Sequence, residues 1–223
     1  MSAYSVVIPA FNAEATIDET LQSVFRQSLA PRAVIVVDDG STDATAARVE
    51  AHGGIVRLVR QANTGAGGAT TRGFSLVGTP LIATLDADDL WLPEKAARQI
   101  AFLEAKPEVA AVFTQFQEFR DGEPVRPDAP VHDGWFRTTM LARMEAVRAV
   151  GPMLDLKGDL ATTVDWLARM REAGYRQDMI REVLAHRRIR AGSLSQSRDR
   201  QFYLEAAKAA LKRRKAREPG GNG

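Results

Sequence analysis

Asp86, Asp88 and Asp89 crowd into the stretch LDADDLWLP, residues 85–93. The apolar run Leu81, Ile82, Ala83 and Leu85 leads into them, and Leu90, Trp91 and Leu92 follow. Like charges so close repel, and when partly buried they cost several kcal/mol unless a cation sits among them. Alternate side chains of an extended segment share a face, so Asp86 and Asp88 point the same way. That pair suits an octahedral, oxygen-loving ion, Mg²⁺ or Mn²⁺, bridging to the phosphates of a substrate. A solvated acidic turn would use the same letters; the apolar strand before and LWLP after favour a built site.

A second acidic cluster, DDGSTD, spans residues 38–43. Gly40 permits a tight turn, and Ser41, Thr42 and Asp43 are good helix-start residues. Capping does not account for Asp38 and Asp39, whose carboxylates can accept hydrogen bonds from a base N–H and from ribose hydroxyls. The glycine-rich NTGAGGATTRG (63–73) matches neither the dinucleotide fingerprint nor the Lys-bearing phosphate loop. Close packing of the turn explains its glycines at least as well.

The elements that must carry these clusters follow from the pattern of apolar residues. Strands are expected at 4–9, 34–37, 55–59, 81–85 and 109–116. Helices are expected at 13–28, from Ser41 or Thr42 through Ala51, from the glycine turn onward, and from Pro93 to Ala105. Short all-apolar strands alternating with amphipathic helices predict an α/β fold with a doubly wound, mainly parallel sheet flanked by helices. Ligands of such sheets lie outside the carboxyl ends of the strands, so the two acidic clusters should face one crevice. Beyond residue 120 the alternation stops. A Pro-, Asp- and Gly-rich loop (121–134) precedes helices at 138–150 and 158–173, a short strand near 179–185, the polar run HRRIRAGSLSQS and a basic helix over 199–216.

Residues 1–120 thus read as a nucleotide-type α/β half, 121–197 as a smaller lid or acceptor-side half of the same domain, and 198–223 as a basic helix with a frayed tail. The 223-residue length and 45% apolar content fit a globular chain with a real core. The absence of Cys excludes thiol catalysis, disulfides and Cys-based metal sites. His52, His132 and His186 lack ligand spacing and are assigned to no metal. No apolar run is long enough for a bilayer and no signal-peptide pattern opens the chain, so a soluble, cytoplasmic protein is expected. The net charge of +2 hides a tail with eight basic residues over 198–217 against Asp199 and Glu205. That tail suits contact with anionic lipid or another protein, or docking back on the domain; no nucleic-acid partner is implied.

The order SVVIPAFNAE, VVDDGSTD, NTGAGGATTRG, LDADDLWLPEK resembles the family 2 glycosyltransferases of the GT-A fold, closely over residues 4–105 and loosely over 135–196. The resemblance implies inverting transfer of a sugar from a nucleotide-diphosphate sugar, UDP-linked first of all, with Mn²⁺ or Mg²⁺ as cofactor. It places Pro9, Ala10, Phe11 and Glu14 along the nucleotide, Phe11 against the base face. Asp39 would read the base edge with Asp38 behind it. Asp86 would approach the ribose and Asp88 the metal–diphosphate, the two forming the DXD metal motif, with Asp89 as a further ligand. The acceptor, whether glycan, lipid carrier, metabolite or peptide, is not named by any motif.

The chain also departs from that family. Ala69, Thr70 and Thr71 replace the Ala-Arg-Asn that usually follows the glycine turn. Aligned on Arg169, Thr162 and Thr163 stand where a Glu-Asp pair is expected, and Asp165, just before Trp166, is the remaining candidate for the general base. An i, i+4 surface pair of Asp165 with Arg169 is the plainer alternative, and Asp159 is the fallback base. In HRRIRAGSLS, Arg190 occupies the family's His position and Ser193 its Asn position. Arg187, Arg188 and Arg190 are expected to clamp the diphosphate. Trp91 and Trp166 are candidate sugar platforms. The Thr162–Thr163 replacement motivates a second reading, a nucleotide-sugar-binding relative that has lost catalysis; a nucleotidyltransferase, which shares the sheet and the acidic metal site, comes last because PAFNAE follows the first strand in place of a Gly-rich loop with Arg and Lys.

Overall fold

The computed structural model describes residues 2–154 and 159–189, together with Lys208 and Arg213. Arg190, Ser193 and most of the expected basic helix lie outside the described residues.

The chain folds as β1 (Tyr4–Ala10), α1 (Ile17–Phe25), β2 (Ala33–Asp38), α2 (Thr45–His52), β3 (Val56–Arg60), α3 (Gly65–Phe74), β4 (Leu81–Thr84) and β5 (Leu90–Trp91). There follow α4 (Lys95–Ala105), β6 (Val109–Arg120), β7 (Val131–Asp133), a 3₁₀ turn at Arg137–Thr139, β8 (Leu141–Arg143), α5 (Met144–Val150), α6 (Asp159–Glu172) and β9 (Arg176–Ile189). Among the described residues these strands form one sheet in the order β3-β2-β1-β4-β8-β6-β9-β5, with β7 on the edge of β6. Pairs β1–β2, β1–β4, β2–β3 and β6–β9 are parallel, while β8 runs antiparallel between β4 and β6. The fold is α/β, a mixed but mostly parallel sheet with helices on both faces.

Alternation along β1 sends Val6 and Ile8 to one core layer, against α1 and α4, and Val7 to the other, against α3, α5 and α6. Burial on both faces is why the central strands read as unbroken apolar runs. On the second face the glycines of α3 allow close approach. A Cβ on Gly67 would lie 2.6 Å from the Thr162 methyl of α6, and one on Gly73 would strike Val7. Close packing is therefore what these glycines serve.

Residues beyond 120 depart from the predicted elements. The helix expected over 138–150 is helical only from Met144; Leu141 and Ala142 instead fill the slot between β4 and β6, where pairing on both edges outweighs helix propensity. The strand expected near 179–185 runs the whole length Arg176–Ile189 beside β6. Earlier in the chain, α2 begins at Thr45 rather than at Ser41 or Thr42, because Ser41 Oγ accepts the Asn12 N–H (3.0 Å) and the Asp43 carboxylate accepts that of Thr45 (3.0 Å). No helix of the described residues is long and apolar enough to cross a membrane.

Candidate active site

β1 and β4 stay paired only as far as Val7 and Thr84, whereas β1 and β2 remain paired to Ala10 and Asp38. Above Val7 the sheet parts. The chain leaves β1 for β2 and β3 on one side and returns as β4 on the other, which makes this gap the topological switch point of the sheet. Pro9, lacking an N–H, sits just above the last β4 pairing, where no donor toward that strand is required.

One wall of the gap is the first acidic turn. Asp38 is fully buried; its Oδ1 accepts the Ser41 N–H (3.0 Å) and its Oδ2 that of Arg60 Nε (3.1 Å). Asp39 is buried beside it, accepting from Gln61 Nε2 (2.8 Å) and from the Thr64 backbone N–H (2.9 Å to Oδ1 and 3.2 Å to Oδ2). The loop after β1 is laced to this turn. Asn12 takes a left-handed conformation (φ 47°) that Asn tolerates, and its Oδ1 accepts the Thr42 N–H (2.9 Å). Glu14 accepts the Ala44 N–H (2.8 Å) at the start of α2. These bonds hold Phe11 at the rim with 52% of its surface exposed, although a large apolar ring ordinarily seeks burial.

The opposite wall is the LDADD turn, and the cation its charges call for is a residue that the sequence reading missed. Arg137, 5% exposed in the 3₁₀ turn, donates from Nε to Asp86 Oδ1 (2.9 Å) and from Nη1 to Thr163 Oγ1 (3.4 Å). The next residue serves Asp89: Thr138 Oγ1 donates to Asp89 Oδ2 (2.5 Å), and the Arg188 backbone N–H reaches Asp89 Oδ1 (2.9 Å). Burial first, then the charges of Asp88 and Asp86, push the Asp89 carboxyl well above the usual carboxylate range. With both oxygens engaged, Asp89 braces the turn. The 3₁₀ turn is itself fixed from behind: Trp91 Nε1 donates to the Thr138 carbonyl (2.7 Å) and Gln99 Nε2 to that of Thr139 (2.8 Å). Lys95 donates to Gln99 (2.8 Å) and lies over the Trp91 ring, and burial holds its amine far below the usual lysine range.

Asp86, 25% exposed, and half-buried Asp88 thus remain toward the gap. Hard carboxylate oxygens of this kind suit Mg²⁺ or Mn²⁺, which take one or two protein carboxylates and complete their shell with water and substrate phosphate. No group of three or more His, Cys, Asp or Glu among the described residues could hold a metal alone. The donor set fits an ion that arrives with a diphosphate.

The other expected site residues are held by partners of their own. Arg188 is buried, its guanidinium spent on Glu19, Asp121 (2.6 Å) and the Asp88 carbonyl (2.8 Å). It ties the acidic turn from behind rather than facing it. Arg187 is less enclosed, 3.6 Å from Glu118 and near the Phe136 ring. Asp165 is fully buried, with Oδ2 held by Arg169 (3.0 Å) and Oδ1 by Arg213. That is the setting of a carboxylate that anchors α6, and Thr163 is the α6 side chain that contacts Arg137. Arg213 also pairs with Glu172 (3.1 Å), so the basic tail touches α6 at this point. Trp91 and Trp166 are both buried, Trp166 with its N–H on the Gly151 carbonyl (2.9 Å), and neither offers a face to a sugar.

A mostly parallel sheet with two acidic strand ends at its switch point is the GT-A type of glycosyltransferase fold. Among solved structures, the Pyrobaculum calidifontis mannosyltransferase PcManGT, in complex with GDP-Man and Mn²⁺, matches 95% of this chain and 64% of its own at 21% identity, TM-score 0.74. Staphylococcus aureus TarS 1–349 in complex with UDP-GlcNAc matches 91% of this chain and 64% of its own at 19% identity, TM-score 0.68. The model of glycosyl transferase family 2 matches residues 5–152. The chain belongs to that family and is a glycosyltransferase. A Bacillus subtilis protein named for teichuronic acid biosynthesis, the glycosyltransferase TuaG, is 28% identical over 87% of this chain and 82% of its own. The Escherichia coli UDP-Glc:α-D-GlcNAc-diphosphoundecaprenol β-1,3-glucosyltransferase WfgD is 34% identical, over 44% of this chain and 40% of its own length.

Proposed function

We propose that the chain moves a sugar, with inversion, from a UDP-linked donor to a hydroxyl acceptor, with a divalent metal held by Asp88 and Asp86. The observation that carries this reading is the pairing of Asp39 and Asp86/Asp88 across β1. Two strand spacings separate them, about 10 Å, a gap that a nucleoside diphosphate bridges. Phe11 at the rim supplies a face for the base, backed by Pro9 and Ala10, while Glu14 and Asp38 keep the two loops in register. Asp39 Oδ2, the less engaged oxygen, accepts from the base edge.

Breaking the sugar–phosphate bond leaves a diphosphate, so charge on it must be neutralised as it forms. A divalent ion supplies most of that when bound. Arg137 holds Asp86 aligned toward the ribose, and Arg187, with Arg190 three residues on in the sequence, adds positive charge toward the diphosphate. Residues 1–120 take the donor and 121–197 the acceptor. The names of the relatives support the reading: WfgD uses UDP-Glc and a lipid-linked GlcNAc diphosphate, TarS is seen with UDP-GlcNAc, and PcManGT with Mn²⁺.

A second reading, a nucleotide-sugar binder with weakened catalysis, is favoured by the two arginines on Asp165 and by Thr163 in place of a carboxylate. One experiment separates the two. UDP-, GDP- and dTDP-sugars are incubated with Mn²⁺ and release of the nucleotide is followed. Slow hydrolysis of a UDP-sugar, lost in Asp88→Ala, is expected. Binding of UDP without release from any donor would instead establish the binder.

A further inference from the structure

Helix α1 carries a buried polar stripe where a core-facing helix ordinarily carries apolar side chains. Thr16, Thr20 and Ser23 stand four and three residues apart, on one face, and Gln27 follows just past the helix end; all four are buried. Buried polar groups are costly unless hydrogen-bonded, and each of these is bonded to the backbone of the acidic turn or of the segment that follows it. Thr16 Oγ1 donates to the Ala87 carbonyl (2.9 Å), and Thr20 Oγ1 shares its one hydrogen between the Ala87 and Asp89 carbonyls (3.0 Å to each). Ser23 Oγ accepts the Trp91 N–H (3.2 Å). Gln27 donates from Nε2 to the Leu92 carbonyl (2.8 Å) and accepts the Ala96 N–H on Oε1 (3.0 Å). Thr16 occupies the N-cap position of α1, where a Thr hydroxyl ordinarily accepts an N–H of the first turn, yet its side chain makes no capping bond. Its hydroxyl is turned to the acidic turn instead.

Asp88 is the residue that these bonds fix. The peptide group before it carries the Ala87 carbonyl, held by Thr16 and Thr20. The peptide group after it carries its own carbonyl, held by Arg188 Nε (2.8 Å), and Arg188 is anchored on α1 through Glu19. Peptide groups are rigid planes, so pinning both planes fixes the two backbone dihedrals of Asp88 and the direction of its Cα–Cβ bond. The same helix springs from the loop that carries Phe11: the Ala13 carbonyl accepts the N–H groups of Thr16 (3.0 Å) and Ile17 (2.9 Å). One rigid element thus runs from the loop after β1 to the acidic turn. We propose that Thr16 and Thr20 are positioning residues of the donor site: through the Ala87 carbonyl they aim the Asp88 carboxylate, so that α1 sets where the metal–diphosphate lies relative to the base. The inference rests on the transferase reading, which gives Asp88 the metal.

The test exchanges the two hydroxyls for methyl groups in the full chain. Mn²⁺ binding with UDP in excess is followed by the paramagnetic resonance signal of the free ion, and uridine binding by calorimetry. Thr16→Val/Thr20→Val should bind Mn²⁺ with UDP about tenfold more weakly, the loss of one neutral hydrogen bond at the upper end of its range, and should bind uridine as the wild type does. Thr16→Ser/Thr20→Ser, which keeps both hydroxyls, should match the wild type with both ligands. Thr16→Val alone leaves the Thr20 bond in place and should show the same split at about threefold; it carries the test should the double variant fail to fold. Equal weakening of uridine and of Mn²⁺ with UDP would reduce the threonines to supports of the fold, and unchanged Mn²⁺ binding would leave Asp88 aimed without them. Either result, with UDP still bound by the wild type, overturns this proposal alone. Failure of the wild type to bind UDP with Mn²⁺ would remove the donor site of the transferase reading and the proposal with it.

Discussion

The two acidic turns look alike in sequence and are held in opposite ways. Asp38 and Asp39 find their partners nearby, 3 residues on at Ser41, 22 at Arg60 and 25 at Thr64. Asp86 and Asp89 find theirs at Arg137, Thr138 and Arg188, separated by 51, 49 and 99 residues. The first turn is neutralised mainly by backbone and amide N–H groups of its own neighbourhood. The second depends on the later half of the chain: the buried Arg137 guanidinium pairs with Asp86, the Arg188 backbone N–H with Asp89, and the Arg188 guanidinium holds the turn through the Asp88 carbonyl. One task of residues 121–189 is thus to hold the LDADD turn in shape, besides whatever they do for an acceptor.

This difference can be broken from its strongest end. Arg188→Ala removes a buried cation from half-exposed Glu19 and Asp121 and from the Asp88 carbonyl, and should cost about 3 kcal/mol in urea unfolding, the upper range for hydrogen bonds to a charged group. A loss under about 1 kcal/mol, the range of surface pairs, would mean that β9 does not brace the turn. Arg137→Ala acts on the site itself. It should lower kcat/KM for donor hydrolysis by roughly thirtyfold, equivalent to about 2 kcal/mol for one charged hydrogen bond, and Arg137→Lys should recover only part of it because the fork geometry is lost. Full activity in both variants would leave Asp86 without need of its cation. Arg60→Ala should do least. Arg60 is mostly exposed although Asp38 is fully buried, and with Ser41 still bonded to that carboxylate the loss should be about 1.5 kcal/mol, one hydrogen bond to a charged group; an effect as large as that of Arg188→Ala would erase the contrast between the turns.

The same contrast explains what was legible in the sequence. Strands β1, β2 and β4 are buried on both faces between helices, so each announces itself as a short apolar run, while β3, at the edge of the sheet, is only partly buried. The crowding of Asp86, Asp88 and Asp89 likewise announced a cation. Its identity was hidden, because Arg137 sits in a segment with neither a two-residue nor a 3.6-residue period, and its partner is fixed by tertiary folding alone. A signal was there: an Arg between Trp135-Phe136 and Thr138-Thr139-Met140-Leu141 is a charge set among groups that bury, and such a charge needs a counter-charge. Asp165 misled for the converse reason. Its spacing to Arg169 reads as a surface pair, and nothing local reveals that Arg213 closes over it. β8 was lost because three residues paired on both edges carry no pattern long enough to distinguish them from a helix start.

The central claim is that the two turns form a single donor site, Asp39 at the base and Asp88 at the diphosphate. Calorimetric titration of uridine and of UDP with Mn²⁺ into the wild type, Asp39→Asn and Asp88→Asn tests it most directly. Asp39→Asn should weaken both ligands, whereas Asp88→Asn should weaken UDP and leave uridine unchanged. Equal loss of both ligands in Asp88→Asn, or no heat from UDP with the wild type, would contradict it.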